Sequence, residues 1–509
     1  MSAASHSRWV LAATILASSM AFIDGTVVNV ALPALQKDLN ATAIGVQWVV
    51  EAYALFLSAL LLVGGSLGDH YGRKRVFLIG VLLFAAASAW CGLAPNIEQL
   101  IAARAVQGIG GALLIPGSLA IISASFPAEK RGRAIGTWSG FSAITTAIGP
   151  VLGGWLIENV SWRAVFFLNL PLAVVVVLIT LRHITESRDR KHRGRIDWVG
   201  AALATVGLGG LTYGLIESSR LSWVATSVVI AIVVGVVALV TFVFVEARSK
   251  SPMLPLGLFR SRNFTGTNLL TLMLYFSLGG GLFFLTLNLI QVQEFSATAA
   301  GAALLPFVVL MFVLSRWSGG LIERFGPRPP LIVGPFLAGA GYALMAVPGT
   351  HAGYWSGFFP GVLVLGLGMA ISVAPLTTTV MSSVDESQAG VASGINNAVA
   401  RAAGLLAVAV LGVVMLQAFS SELRQRLSAI DLPETVRSAI YDQRIKLAGL
   451  NVDEVVNENS GGTPNATREV TQAIKESFLR GFRVAMLIAA AMAIAGSITS
   501  FLLIENKKP

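Results

Sequence analysis

Apolar runs long enough to cross a bilayer recur from one end of this chain to the other, and a water-soluble fold does not accommodate that pattern. Crossing roughly 30 Å of hydrocarbon takes about 20 helical residues. In that solvent every backbone N–H and C=O must be satisfied inside the segment or against a neighbour, which selects helices or a closed barrel. Runs of this length and unbroken apolarity are helical. By this measure the sequence predicts about fourteen spans, at residues 9–32, 47–67, 76–93, 100–124, 133–157, 165–181, 198–216, 223–245, 265–290, 299–322, 331–347, 354–375, 390–416 and 484–504. The expected fold class is therefore all-α and integral to the membrane. The first run continues past Ala17-Ser18-Ser19 to Leu32, so it reads as a span rather than a cleaved leader.

Of the 509 residues, 55% are hydrophobic and 12% charged, far too few charges for a soluble surface of this size. The net charge of +10 invites a nucleic-acid reading, but its distribution argues against such a partner. The basic residues cluster in alternate short connections: Arg73, Lys74 and Arg75; Lys130, Arg131 and Arg133; Arg182 to Arg195; Arg324 and Arg328; and Lys507 and Lys508. Arg248, Lys250, Arg260 and Arg262 belong to the same set, and the short connections of the other set hold only Lys37, Arg163 and Arg220. That asymmetry is the positive-inside pattern, and it predicts an even number of spans with both termini in the cytoplasm. The polar stretch 420–477 then falls outside, where its patterning predicts a cap of short helices. Within it, Asn465-Ala466-Thr467 matches a glycosylation acceptor triplet. The lone Cys91 excludes a disulfide framework, and the five histidines form no pair at ligand spacing, so no metal and no cofactor are expected. No Walker A sequence is present, which disfavours an ATP-driven pump. An intramembrane enzyme would need clustered carboxylates or a nucleophile with its base, and Asp69 with His70 is a poor candidate.

Gly65-Ser-Leu-Gly-Asp69-His-Tyr-Gly72-Arg73-Lys74 joins the second and third runs, and Gly319-Gly-Leu-Ile-Glu-Arg-Phe-Gly-Pro-Arg328 joins the tenth and eleventh. Glycine, leucine, acid, glycine and base recur at equal spacing. An echo displaced by eight runs predicts two six-helix bundles, at 1–181 and 263–509, with two extra helices inserted at 182–262. Paired bundles of this kind place a binding site between them at the midplane.

Charges inside the apolar runs are the candidate functional groups, because an ionised side chain at the bilayer centre costs about 2.5–3.5 kcal/mol or more. Asp24 lies deep in the first run, and either faces a polar pathway or is hydrogen-bonded to a neighbouring helix. Arg104 lies in the fourth run, Arg316 in the tenth and Arg401 in the thirteenth. Glu51, about one turn into the second run, reads equally as a carboxylate that receives cationic substrates or as one hydrated at the outer boundary. Tyr53, Gln107, Asn169, Tyr275, Asn288, Gln291, Asn396 and Asn397 are polar groups that must find partners or face water.

Several of these residues carry a resemblance. Gly65, Leu67, Asp69, Gly72, Arg73 and Lys74 match the signature loop of the major facilitator superfamily, which implies that this loop latches the cytoplasmic side while two bundles rock. Arg104 resembles that family's fourth-helix arginine, linked there to proton coupling. Gly149, Pro150, Gly153 and Gly154 match the fifth-helix motif of its exporting members. Asp24, Thr26, Asn29 and Pro33 look like the first-helix motif of the fourteen-span drug:proton antiporter branch, and Trp162, Arg163, Phe166, Asn169 and Pro171 extend the match. The resemblance implies a proton-coupled exporter of amphipathic compounds, cationic ones included, with Asp24 and Arg104 in coupling. Its partners would be a small-molecule substrate, protons and the lipid bilayer. A dedicated exporter of one endogenous metabolite or lipid is the alternative, and nutrient uptake is disfavoured by the fifth-helix motif.

Overall fold

The computed structural model describes residues 3–126, 128–187, 197–249, 252–350, 352–384, 388–450, 452 and 464–506. Among them the regular elements are all helical. The long helices are α1 (Ala3–Asp38), α2 (Ala43–Tyr71), α3 (Arg73–Leu93), α4 (Ile97–Ser125), α5 (Ala128–Asn159), α6 (Ala164–His183, interrupted at Leu168), α7 (Trp198–Leu221) and α8 (Thr226–Arg248). After them come α9 (Arg262–Gln291), α10 (Ala297–Ala302 continued by Leu305–Gly319), α11 (Arg328–Met345), α12 (Tyr354–Ser382), α13 (Ala389–Ser428) and α14 (Pro464–Leu503).

Among the described residues, twelve helices are long and apolar enough to cross a membrane, so the expected fourteen is not reached by that measure. The two outside the twelve are α5 and α11. The first is rich in glycine, serine and threonine and opens on Glu129-Lys-Arg131-Gly-Arg133. The second is short, opens on Arg328-Pro-Pro330 and has Pro335 inside.

α1 packs on α4, α5 and α6, and α4 also packs on α2 and α3. In the C-terminal part α9 packs on α13 and α14, α12 on α10 and α11, and α14 on α11. The α2–α4 contact is close because of glycine: a Cβ on Gly64 would stand 2.0 Å from the Ala112 carbonyl oxygen, and one on Gly108 2.4 Å from that of Tyr53. Close backbone approach is how helices gain dispersion contacts where lipid removes the hydrophobic drive. α7 and α8 pair with each other, and α7 also packs on α2 and α13. α8 presents Val229, Ile230, Val233, Val237, Val240 and Phe244 outward, an apolar face that suits acyl chains.

The echoed loops are built alike. Gly72 takes φ +115°, and Glu186, just beyond α6, accepts hydrogen bonds from the backbone N–H groups of Lys74 (3.0 Å) and Arg75 (3.2 Å) at the start of α3. Lys74 Nζ donates to the Leu181 carbonyl at 3.3 Å. In the second loop Gly326 takes φ +80°, and Asn506, just beyond α14, accepts from the N–H of Arg328 at 3.4 Å. The Arg328 guanidinium donates to the Phe501 carbonyl. Each loop is thus tied to the end of the last helix of its own group, and each Gly sits where a side chain is strained. Glu186 supplies acceptors for N–H groups a helix start leaves free. Glu186→Ala is expected to cost about 1 kcal/mol, read as a lower melting temperature of the purified protein.

Among the described residues, the hydrogen bonds joining α1–α6 to α9–α14 and the cap lie at one end of the molecule. Glu158 accepts from the backbone N–H and the hydroxyl of Thr298, both at 2.7 Å. Gln291 donates to Gln36 at 3.0 Å, Gln36 to the Lys446 carbonyl at 2.9 Å, and Gln47 to the Val408 carbonyl at 3.3 Å. The stretch 420–477 caps this end: α13 runs on to Ser428, and helix Glu434–Asp442 and turn Arg444–Gly449 follow, burying Val436, Ile440 and Leu447. The side chain of Asn465 lies outside the described residues. At the opposite end, the signature loop makes its hydrogen bonds within α1–α6 and its connections.

Candidate functional site

Asp24 lies 14 residues from the end of α1 at Asp38, about 21 Å along the axis, and is completely enclosed. Its carboxylate is held by side chains from α4 and α6. Arg104 Nη1 donates to Oδ2 at 2.5 Å, while Gln107 Nε2 (2.8 Å) and Asn169 Nδ2 (3.3 Å) donate to Oδ1. Arg104 also donates to Gln107 Oε1 at 2.6 Å and to the Val49 carbonyl at 3.0 Å. Asn169 donates to Ser88 Oγ at 2.9 Å, and Ser88 to the Phe166 carbonyl at 2.8 Å. The Arg104 guanidinium stands 4.2 Å from the centre of the Tyr53 ring, a cation–π contact strengthened by the burial of both side chains. The Tyr53 hydroxyl donates to the Ala21 carbonyl at 3.4 Å.

Donors surround both carboxylate oxygens, the arrangement that suits an acceptor. A proton arriving on Asp24 removes the attraction to Arg104 and turns one acceptor oxygen into a donor facing donors. Beside it, Gly25 has open space where a Cβ would stand and is exposed, so an opening reaches within one residue of the buried acid.

The four residues of the fifth-helix motif divide between two neighbours. A Cβ on Gly149 would meet Thr26 and Ile23, and one on Gly153 would meet Val27, all on α1. A Cβ on Gly154 would stand 2.5 Å from the Thr298 backbone on α10, and one on Gly301 2.3 Å from the Pro150 carbonyl. The motif thus presses α5 on the Asp24 helix with one face and on α10, across the closed end, with the other. In the signature loop Arg73 pairs with Asp69 at 2.7 Å, one turn apart and partly exposed.

The remaining candidates are scattered. Tyr53 and Gln107 join the Asp24 cluster. Gln291 belongs to the closed end, and Asn288, fully buried, leaves its amide nitrogen without a partner. Asn397 is exposed on α13 and, among the described residues, bonds only to the Ser393 carbonyl, one turn away. Asn396 donates to Thr271 at 2.7 Å and ties α13 to α9. The side chain of Arg316 lies outside the described residues.

Glu51 lies apart from all of these. It is fully enclosed, and neither carboxylate oxygen has a hydrogen-bond partner. On the same face of α2, Ile44 packs with Ile216 of α7 and Ala409 of α13, and Trp48 donates to Glu217 of α7 at 3.3 Å. This places Glu51 at the seam of α2, α7 and α13, the level at which Thr212 of α7 is also buried with its hydroxyl unpaired. An enclosed side chain does not line the opening in this conformation, so its reading as a receiver of cations loses its support here. A buried carboxyl without partners is costly. Glu51→Leu is accordingly expected to match or exceed the wild-type melting temperature; a clear drop would show that the carboxyl has a stabilising partner.

Sequence reading alone did not find Glu186, Asn506, Ser88 or the Glu158–Thr298 contact. Each acts as a hydrogen-bond acceptor or donor for a group far away in the chain, and an ordinary surface acid or serine carries no local signal of that.

Helices of this length around a buried carboxylate, with joined contacts at one end, define a polytopic membrane transporter. The Major Facilitator Superfamily profile matches residues 14–408, and the chain belongs to that family. It is 35% identical over 487 residues to the multidrug resistance protein Stp of Mycobacterium tuberculosis, covering 94% of this chain and 89% of the relative. It is 32% identical to the tetracenomycin C resistance and export protein of Streptomyces glaucescens, covering 94% and 88%. It is 36% identical to a puromycin resistance protein of Streptomyces alboniger, covering 80% and 81%. Among solved structures, a bacterial homologue of the human lysosomal transporter Spinster, in an inward-facing and unoccupied conformation, superposes with a TM-score of 0.68 over 97% of this chain and 98% of the other, at 18% identity. That likeness concerns the fold.

Proposed function

We propose that this protein is a proton-coupled exporter of amphipathic, drug-like compounds, residing in the plasma membrane with both termini in the cytoplasm. The observation that carries the proposal is the enclosed Asp24–Arg104–Gln107–Asn169 cluster beside the exposed Gly25. The names of the resistance and export relatives support the direction of transport, as does the fifth-helix motif at the closed end. In this reading α5 and α11 cross the membrane inside the protein, where their polar and proline-bearing stretches are covered by neighbours, which restores fourteen spans. α1–α6 and α9–α14 form the two bundles and α7–α8 the insertion. The end bearing the basic loops is cytoplasmic, so the closed end faces out and the molecule is open inward.

Protonation of Asp24 from outside releases Arg104 and Gln107 and favours the inward-open arrangement; loss of the proton inside restores the ion pair. Each inward proton supplies about 2.3 kcal/mol per 100 mV of membrane potential, so one or two can sustain a substantial outward gradient. The test is accumulation of a fluorescent dye in cells with and without the protein, before and after a protonophore. Lower accumulation that the protonophore abolishes is the expected result; no difference between the cells overturns the reading. The tetracenomycin C relative is named for one compound, and a dedicated exporter is distinguished by a panel in which a single chemical class moves.

A further inference from the structure

Among the deep charges whose side chains are described, one cation stands unpaired. Asp24 and Arg104 pair with each other, and Glu51 is sealed at the seam with the inserted helices. Arg401 remains, the single charged residue of α13 from Ala389 to Ser421. It is partly exposed, and among the described residues no carboxylate or other acceptor bonds to it. Its electrostatic neighbours are the hydroxyls of Tyr53 and Tyr275. Tyr53 is the ring that also lies under Arg104, so it stands between the coupling pair and the free guanidinium. One turn toward the basic end Asn397 is exposed, and three residues the other way Gly404 has open space where a Cβ would stand.

We propose that Arg401 receives an anionic group of the transported compound, a carboxylate or phenolate, with the attached aromatic body lying toward the partly exposed Tyr275. The proposal rests on the export reading and names its substrate class. A guanidinium keeps its charge at any physiological pH and offers a planar fork matched to two oxygens. Inside a low-dielectric crevice an unmatched cation is costly, and an anion that matches it gains a charge-assisted pair. A cationic compound meets the opposite: the one acid near the opening is already paired, and Arg401 repels it. The site selects on charge through Arg401 and leaves the shape of the attached body loosely specified.

The experiment is equilibrium binding of two fluorescent amphipaths, anionic carboxyfluorescein and cationic ethidium, to the purified full chain in nanodiscs of zwitterionic lipid. The wild type is expected to bind carboxyfluorescein. Arg401→Gln is expected to weaken it by about tenfold or more while leaving ethidium within about twofold. Arg401→Lys, which keeps the charge and loses the fork, is expected to fall between, and melting temperatures of all three verify folding. Failure of the wild type to bind the anion, equal losses of both probes, or no loss in Arg401→Gln each overturns the proposal. Displacement of bound carboxyfluorescein when phosphatidylglycerol replaces part of the lipid would assign Arg401 to headgroups instead, and overturns it too. Binding that depends on Arg401 without energised efflux in cells would refute the export reading and leave the anion site standing; efflux with charge-blind binding would do the reverse.

Discussion

Asp24→Asn is expected to abolish protonophore-sensitive efflux, down to the level of cells lacking the protein, while the protein still reaches the membrane and binds dye. Asparagine keeps the shape and one acceptor oxygen, so either Arg104 or the Gln107–Asn169 pair retains a partner. It places an amide NH2 against the other donors and removes the charge that offsets Arg104. Leaving one partner of a buried pair unmatched costs about 3–5 kcal/mol, a loss that a large helical assembly survives with a lower melting temperature. What it does not survive is the loss of the titrating group: the two arrangements of the cluster no longer differ by a proton, so a pH gradient has nothing to act on. A ligand or ion shifts an equilibrium only by its differential affinity for the two states. The measurement is efflux from preloaded cells at several external pH values. Undiminished, pH-dependent efflux in the variant would remove Asp24 from the coupling.

How much of this was legible beforehand depended on how local the signal was. Asp24 and Arg104 stood out because charges in apolar runs are rare, and the echo of Gly65–Lys74 in Gly319–Arg328 carried over to like-built loops. Gln107, read as a candidate for substrate binding, instead donates to Asp24, which its place one turn after Arg104 allows. The place of Asn169 in the cluster was not legible, because it depends on how α6 is rotated against α1. Glu51 shows the same limit: sequence gave its depth in α2, while its direction, into the seam with α7 and α13, is fixed by tertiary packing. The helix count differed for a chemical reason. Bilayer-crossing criteria reward lipid-facing apolarity, and α5 and α11, pressed among other helices, are built of small, polar and proline residues instead. Glu186 and Asn506 were unreadable, since nothing near them in sequence announces the loop each one caps.

Gly154→Leu is expected to shift the protein away from the conformation described here, and to trap it there when Gly301 is replaced as well. At Gly154 an added Cβ meets the backbone of Thr298 at 2.5 Å, and at Gly301 it meets the Pro150 carbonyl at 2.3 Å. Both collisions are with main chain across the closed end, so no side-chain rotation relieves them; α5 and α10 must separate. Separation also breaks the Glu158–Thr298 hydrogen bonds and shifts the equilibrium toward a state open at that end. Shifting a two-state equilibrium from 1:99 to 99:1 takes about 5.5 kcal/mol, and a displaced helix pair with overpacking costs of typically 1–3 kcal/mol per site reaches that range when Gly154 and Gly301 are both replaced. Gly153 provides the control: its added Cβ meets Cγ2 of Val27 at 1.9 Å, a side-chain atom within the same group of helices. Gly153→Ala should therefore lower stability with little change in the population of states. The readout is thiol labelling of a cysteine placed at Ala297 in a background with Cys91 replaced. Fast labelling in the Gly154 and Gly301 variants, slow labelling in wild type and Gly153→Ala, and lost efflux in the first two are expected. Equal labelling in all four would mean that this contact does not hold the end closed, and the fifth-helix motif would then act through α1 alone.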